Sequence, residues 1–125
     1  MSVNVRYIVH DVEQAIHFYT THLGFEVRAH PVPAFAILAR GALQLYLNQP
    51  GAGGAGQAAA DGRRPEPGGW NRFQIEVEDL AQRVDELRKA GLVFRSEIVE
   101  GNGGKQILLD DPSGNPIELF QPPLR

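Results

Sequence analysis

Nine polar, charged and aromatic side chains stand where they could bind a small molecule. They are Asn4, Arg6, Gln44, Tyr46, Trp70, Arg72, Gln74, Glu118 and Phe120. Charged and amide groups can orient a ligand through hydrogen bonds, and large aromatic rings can stack on a flat one. The alternation of polar and apolar residues leaves a second interpretation open, in which these side chains simply face water. Tyr46, Trp70 and Phe120 fit that interpretation less well because they add apolar area.

The segments that carry these side chains read as strands with one buried face. Apolar residues occupy every second position, at Val5, Tyr7, Val9, Leu43, Leu45, Leu47, Phe73, Ile75, Val77, Ile117 and Leu119. A period of two is typical of a half-buried strand. We therefore expect helices to cover the apolar face and a binding surface to form on the polar one.

The chain repeats itself with a displacement of 68 residues. This displacement aligns Asn4 with Arg72 and Asp11 with Asp79. Each Asp is followed three positions later by Gln, a capping-box pattern that predicts the start of a helix. The apolar residues at helical spacing after each cap are Val12, Ile16, Tyr19 and Leu23, and then Leu80, Val84 and Leu87. Gly24 and Gly91 are expected to end the two helices.

A segment rich in Gly and Pro, residues 49–69, separates the two halves. It contains "GAGGAG", which matches the G-x-G-x-x-G pattern of dinucleotide-binding turns. That pattern requires a helix directly after it, and "QAAAD" is too short to supply one before Gly62. We interpret residues 49–69 as a mobile connector.

Composition excludes several classes of function. The net charge of −3 and the pI of about 5.8 give no electrostatic reason to expect nucleic acid or an anionic membrane. The N-terminus lacks the basic and apolar regions of a signal peptide, and a cytoplasmic location is expected. There is no cysteine, so disulfides and thiolate chemistry are excluded.

Three stretches resemble the vicinal oxygen chelate superfamily, which includes glyoxalase I, bleomycin-resistance proteins, fosfomycin-resistance enzymes and extradiol dioxygenases. They are "DVEQAIHFYTTHLGFEV", "GGWNRFQIEVEDLAQRVDELRKAG" and "LLDDPSGNPIELFQP". The resemblance implies an α+β fold in which two tandem βαβββ modules form a curled, cup-shaped mixed sheet with helices on the outer face. Residues 1–125 would be a single domain, with module one at 1–48, a linker at 49–69 and module two at 70–125. It also implies a homodimer.

Enzymes of this superfamily hold a divalent metal with four side chains, two from each module. The resemblance places these positions at Asn4, Gln44, Arg72 and Glu118. Glu118 is a competent ligand, whereas neutral amides are weak donors for transition metals and a guanidinium repels a cation. We therefore expect no metal and no other cofactor. Arg72 is expected to supply the positive charge in place of the metal and to pair with Glu118.

None of the four histidines supplies the ligands that this metal site lacks. His10 follows the first strand, His17 and His22 belong to the first helix, and His30 lies beyond it. None of them has a ligand position of the family. Surface or packing roles are the better interpretation.

Two classes of function follow from the resemblance. The first is a metal-free binder of an aromatic or anionic small molecule, similar to antibiotic-sequestering bleomycin-resistance proteins, that uses the nine side chains named above. The alternative is a metal-dependent enzyme of the glyoxalase or dioxygenase type, a lyase or oxidoreductase, that uses Glu118. The residues at the metal positions favour the binder.

Overall fold

Residues 3–123 are described by a computed structural model and contain two helices and nine strands. The first half contains β1 (Val3–Ile8), α1 (Val12–His22), β2 (Glu26–Val32), β3 (Phe35–Arg40) and β4 (Leu43–Asn48). The second half contains β5 (Gln74–Glu76), α2 (Leu80–Lys89), β6 (Val93–Phe94), β7 (Val99–Gly101), β8 (Gly104–Asp110) and β9 (Pro116–Gln121). The expected α+β class is confirmed.

The two halves share one topology. The first sheet has the strand order β1-β4-β3-β2, and the second has the order β5-β9-β8-β6. In each sheet the opening strand pairs in parallel with the last strand of its own half, and the remaining pairs are antiparallel. β7 also pairs with β8, so β6 and β7 together take the place of β2. The predicted βαβββ arrangement therefore occurs twice.

The chain divides into two compact units. The first takes the described residues up to Gly68 together with Pro112–Asn115, and the second takes Gly69–Asp111 and the described residues from Pro116 to Pro123. The main boundary thus falls at the end of the segment predicted to be a linker. The turn at 112–115 lies within the sequence of the second unit, but its contacts place it in the first unit.

This turn is fixed to the first unit by hydrogen bonds. Asn115 Nδ2 donates to the Ile8 carbonyl oxygen at 2.8 Å, and its Oδ1 accepts from the Gly68 N–H at 2.7 Å. Ser113 Oγ accepts from the His10 N–H at 2.8 Å. Asn115 is buried, and both ends of its amide therefore have the partners that a buried polar group requires.

Both helices begin and end at the residues predicted from the sequence. Asp11 accepts a hydrogen bond from the Gln14 N–H, and Asp79 accepts one from the Gln82 N–H. These contacts satisfy backbone donors that have no partner within a helix. Just past the helices, Gly24 and Gly91 have φ values of 73° and 87°, a region that other L-residues rarely adopt. The caps and the glycine ends are confirmed.

Each helix buries one stripe of side chains in its own unit. In α1 the buried residues are Val12, Ala15, Phe18 and Tyr19, and in α2 they are Leu80, Val84 and Leu87. Ile16, which was predicted to belong to the stripe, is half-buried. Full burial of one large apolar side chain contributes about 1.5–3 kcal/mol, so these stripes fix the helices against the sheets. The polar residues of the strands are left on the opposite face.

The opening strand of the second half is shorter than predicted. We expected it to include Arg72, but β5 begins at Gln74. The Glu118 N–H donates to the Phe73 carbonyl oxygen. Two residues earlier on β9 stands Pro116, which has no N–H with which to extend the parallel ladder toward Asn71. Arg72 therefore lies on the approach to the strand.

The segment between β4 and β5 contains turns and neither helix nor strand. The expected absence of a helix after "GAGGAG" is confirmed, which removes the dinucleotide interpretation. Neither α1 nor α2, the helices of the described residues, has the length and apolarity that crossing a bilayer requires.

Candidate functional site

Glu118 is the centre of a charged network in the second unit. Its Oε1 accepts from Arg72 Nε at 3.0 Å and from Arg72 Nη2 at 2.8 Å, and its Oε2 accepts from Gln74 Nε2 at 2.6 Å. The Glu118 side chain is 9% exposed and that of Arg72 is 29% exposed. A carboxylate this buried requires compensating donors, and here both of its oxygens have them. The predicted pairing of Arg72 with Glu118 is confirmed.

Trp70 lies beside this network and is held by two arginines. Arg72 Nη1 donates to the Trp70 carbonyl oxygen at 3.2 Å. The Arg95 guanidinium carbon lies 4.6 Å from the centre of the Trp70 ring. Arg95 is itself fixed, because its Nε donates to Asp110 Oδ1 at 2.6 Å and its Nη1 donates to the Gly69 carbonyl oxygen at 2.7 Å.

Phe120 lines a small cavity on the same sheet. Within β9 it lies two positions beyond Glu118 and therefore on the same face. Its half-buried ring borders a cavity of about 180 Å³ that is also lined by Val99, Gly101, Gly103, Gly104 and Gln106. The chain comes close at Gly104, where an added Cβ would meet the Phe120 ring and the Gln121 carbonyl oxygen. The absence of a side chain at Gly104 therefore makes room for Phe120.

The first unit brings its four predicted residues together in pairs. Gln44 Nε2 donates to Asn4 Oδ1 at 3.3 Å. The Arg6 guanidinium lies 5.1 Å from the centre of the Tyr46 ring, and Phe35 meets that ring edge-on at 6.0 Å between centroids. This face thus presents amides and a cation on an aromatic ring, with no carboxylate among the four predicted residues.

The pairing register corrects one predicted equivalence. In the first unit Arg6 pairs with Tyr46, and in the second unit Gln74, which is the repeat equivalent of Arg6, pairs with Glu118. Tyr46 is therefore the counterpart of Glu118. The prediction that Gln44 has this position is wrong by two residues. A shift of two keeps a side chain on the same face, so Gln44 remains on the polar face, paired with Asn4.

Comparison with known protein families gives the assignment. The model of the Glyoxalase/Bleomycin resistance protein/Dioxygenase superfamily matches residues 3–119. The chain belongs to this superfamily. The glyoxalase-type βαβββ topology described above agrees with the match. A search of curated proteins finds no significant sequence match.

Solved structures with the same fold resemble almost the whole chain. A superfamily member from Sphaerobacter thermophilus has 25% identity and a TM-score of 0.76, and the match covers 97% of this chain and 96% of that one. An antibiotic-binding protein from Streptomyces has 22% identity and a TM-score of 0.73 over 98% and 96% of the two chains. A lactoylglutathione lyase from Agrobacterium tumefaciens has 18% identity and a TM-score of 0.73 over 97% and 92%. The last two similarities show the shared glyoxalase-type fold.

The side chains of this superfamily member do not fit a divalent metal. Both oxygens of Glu118 already accept hydrogen bonds from Arg72 and Gln74. The Tyr46 position offers a phenol beneath the Arg6 guanidinium, and a guanidinium repels a cation. Within residues 3–123 no group of three or more His, Asp or Glu side chains could hold a metal ion.

The four histidines all belong to the first unit, whereas the Glu118 network belongs to the second. His17 and His22 contact each other edge-on at 6.5 Å, and His22 also contacts Phe18. His30 Nε2 lies 3.7 Å from Glu13 Oε1. His10 is exposed. The predicted surface and packing roles agree with these positions.

The sequence did not predict two residues of the second unit that contact or position Trp70. Arg95 directly follows β6, and Asp110 is the last residue of β8. Neither lies in the four segments that were predicted to form the polar face. The one available signal was the repeat, which aligns Arg95 with Arg28 once the loss of one residue before the glycines is allowed for. That ligands bind at any of these residues stays a prediction.

Proposed function

We propose that this protein binds an aromatic or anionic small molecule without a metal ion, as an antibiotic-sequestering member of its superfamily. The observation that carries the proposal is the Arg72–Glu118–Gln74 network, because a guanidinium stands where a metal-dependent relative requires a metal ligand. Arginine holds its charge throughout the physiological pH range. The positive charge that orients a ligand is therefore supplied by the chain.

The hydrogen-bonding capacity of Arg72 supports an oxygen-bearing ligand. A guanidinium has five N–H groups. Among residues 3–123, three of them donate to Glu118 and to the Trp70 carbonyl oxygen. One N–H on each Nη atom is left for a ligand acceptor. Carboxylate, phenolate and carbonyl oxygens are the groups that such a pair of donors binds best.

The aromatic side chains support a ligand with a flat ring. Trp70 is exposed beside Arg72, and Phe120 forms one wall of the cavity on the same sheet face. An antibiotic-binding protein from Streptomyces has the same fold. The lactoylglutathione lyase shares the fold, but the residues at the metal positions of this chain do not favour its type of chemistry.

Metal analysis tests the proposal. Protein purified without a histidine tag is expected to contain well below one equivalent of transition metal. Added iron, nickel, zinc or manganese is expected to leave the unfolding temperature unchanged, because the Arg72 guanidinium already pairs with the Glu118 carboxylate. Arg72→His should raise metal affinity, since it places an imidazole beside Glu118.

The matched control is Arg63→His. Arg63 Nε lies 2.7 Å from Asp61 Oδ2 on an exposed turn, so this substitution also places an imidazole beside a carboxylate. It should leave metal affinity unchanged. A stoichiometric metal bound to Glu118 in the wild-type protein would overturn the proposal in favour of a metal-dependent enzyme.

We also propose that the protein forms a homodimer, as its superfamily commonly does. Exposed valines at Val3, Val27 and Val32 in the first unit supply apolar surface that a partner could cover. Light scattering is expected to give about twice the chain mass of 13.7 kDa. A mass near that of one chain at all concentrations would contradict the proposal.

A further inference from the structure

Trp70 has an exposure that packing within the protein does not explain. Its relative exposure is 67%, and the other exposed large apolar residues of the described chain are all valines. Single exposed valines are common on protein surfaces, whereas a tryptophan that leaves two-thirds of its area in water is unusual. The residue also follows Gly68 and Gly69, which would leave it mobile if nothing else held it.

Contacts on one side of the ring hold Trp70 in place. The Arg95 guanidinium lies over one ring face, 4.6 Å from its centre. The Arg95 side chain is only 17% exposed and is fixed by Asp110. The backbone carbonyl oxygens of Gly69 and Trp70 accept hydrogen bonds from Arg95 and Arg72, respectively. Because Arg95 lies over one face of the ring and the residue is 67% exposed, the opposite face is the one that a planar ligand could contact.

We propose that this opposite face of Trp70 is a stacking platform for the planar aromatic ring of a ligand, and that Arg95 is the positioning residue that holds the platform. The inference rests on the proposed binding function and narrows its ligand class. Arg72 bonds to the backbone of Trp70 and keeps two N–H groups available, so the ligand ring would carry an acidic oxygen at its edge. Aromatic carboxylates and acidic phenols have this combination.

The chemistry of the Arg95–Trp70 pair favours flat rings over other apolar groups. Aromatic pairs in the offset-stacked arrangement gain stability beyond simple area burial, because the positive edge of each ring lies over the negative face of the other. A saturated group of the same size buries similar area but lacks this term. Arg95 also keeps the Trp70 ring from rotating, which lowers the conformational entropy lost when a ligand stacks on it.

Isothermal titration calorimetry with two matched probes tests the platform. 2-Naphthoate is planar and carries a carboxylate, and decahydro-2-naphthoate carries the same charge on a non-planar frame. We expect the planar probe to bind about tenfold more tightly. Trp70→Leu should bring the two affinities within about twofold of each other, because leucine keeps apolar area but offers no ring face.

The role of Arg95 is tested by the fluorescence of Trp70, which is the one tryptophan in the sequence. Arg95→Gln should lower the fluorescence anisotropy of the ring and reduce the preference for the planar probe by about threefold or more. Arg95→Lys should restore part of the anisotropy and part of the preference for the planar probe, because it keeps a cation near the ring and near Asp110. Arg88→Gln is the matched control, since Arg88 lies 5.3 Å from the Phe94 ring and pairs with Glu97. It should change neither measurement.

The outcomes separate this inference from the proposed function. Equal affinity for both probes, or no binding of the planar one, overturns the platform even if the protein binds no metal. An Arg95→Gln variant with unchanged anisotropy and preference overturns the positioning role. If Trp70→Leu lowers the mass seen by light scattering, the ring lies in an interface between copies and the platform is overturned. A stoichiometric metal on Glu118 overturns the proposed function itself.

Discussion

Gly104→Ala is expected to lower the free energy of unfolding by about 3 kcal/mol. Gly104 has a φ of +133°, which L-residues rarely adopt. The new Cβ would also lie 2.9 Å from Phe120 Cζ and against the Gln121 carbonyl oxygen. The ring can move only by giving up its place beside the cavity, and the backbone oxygen belongs to β9. Urea unfolding monitored by circular dichroism measures the loss.

Gly103→Ala is the control for this prediction. Gly103 is the neighbouring residue of the same turn, its φ is not positive, and an added Cβ would meet nothing within 4 Å. Its effect should stay within about 0.5 kcal/mol. If both variants were equally stable, the close approach of Phe120 to Gly104 would be wrong, and with it the cavity wall assigned to Phe120.

Arg72→Met should lower the free energy of unfolding by about 2 kcal/mol. The substitution leaves the Glu118 carboxylate, which is 9% exposed, with Gln74 as its remaining side-chain donor. Removing one partner of a fully buried pair costs more than this, but Arg72 is 29% exposed and water can replace part of its contribution. The same variant should weaken binding of 2-naphthoate, because the carboxylate of that ligand loses the two Arg72 N–H groups that remain available to it.

A double-mutant cycle isolates the interaction of Arg72 with Glu118. Glu118→Gln in the Arg72→Met background should recover at least 1 kcal/mol, since a neutral amide is easier to bury than a charge. Arg63→Met provides the comparison, because Arg63 is 84% exposed in its pair with Asp61 and its loss should cost less than about 0.5 kcal/mol. Additive effects at positions 72 and 118 would show that the two side chains do not interact in solution.

Local signals account for the parts of the fold that were predicted correctly. The two Asp caps and the glycines after the helices need only neighbouring residues to act, so their spacing in the sequence is sufficient. The Arg72–Glu118 pair is long-range, but the internal repeat and the family motif each placed one partner. Burial of Leu80, Val84 and Leu87 follows from helical periodicity alone.

Features that depend on register or on distant pairing were missed. Alternation cannot distinguish Gln44 from Tyr46, because a slip of two residues leaves the same face buried. The late start of β5 at Gln74 follows from Pro116 on the neighbouring strand, which is distant in the sequence. The contact of Arg95 with Trp70 joins the residue after β6 to the residue after the Gly-rich segment, and no spacing rule links such positions.

The turn at 112–115 has a consequence for the order in which the protein can become complete during synthesis. Residues 3–68 emerge from the ribosome first, but the Ile8 carbonyl, the His10 N–H and the Gly68 N–H acquire their partners only when Ser113 and Asn115 have been made. These three backbone groups of the first unit therefore stay solvated until the strands up to β8 have been translated. A fragment that ends in the connector would therefore lack three hydrogen bonds of the first unit, because Ser113 and Asn115 lie in the second half of the sequence.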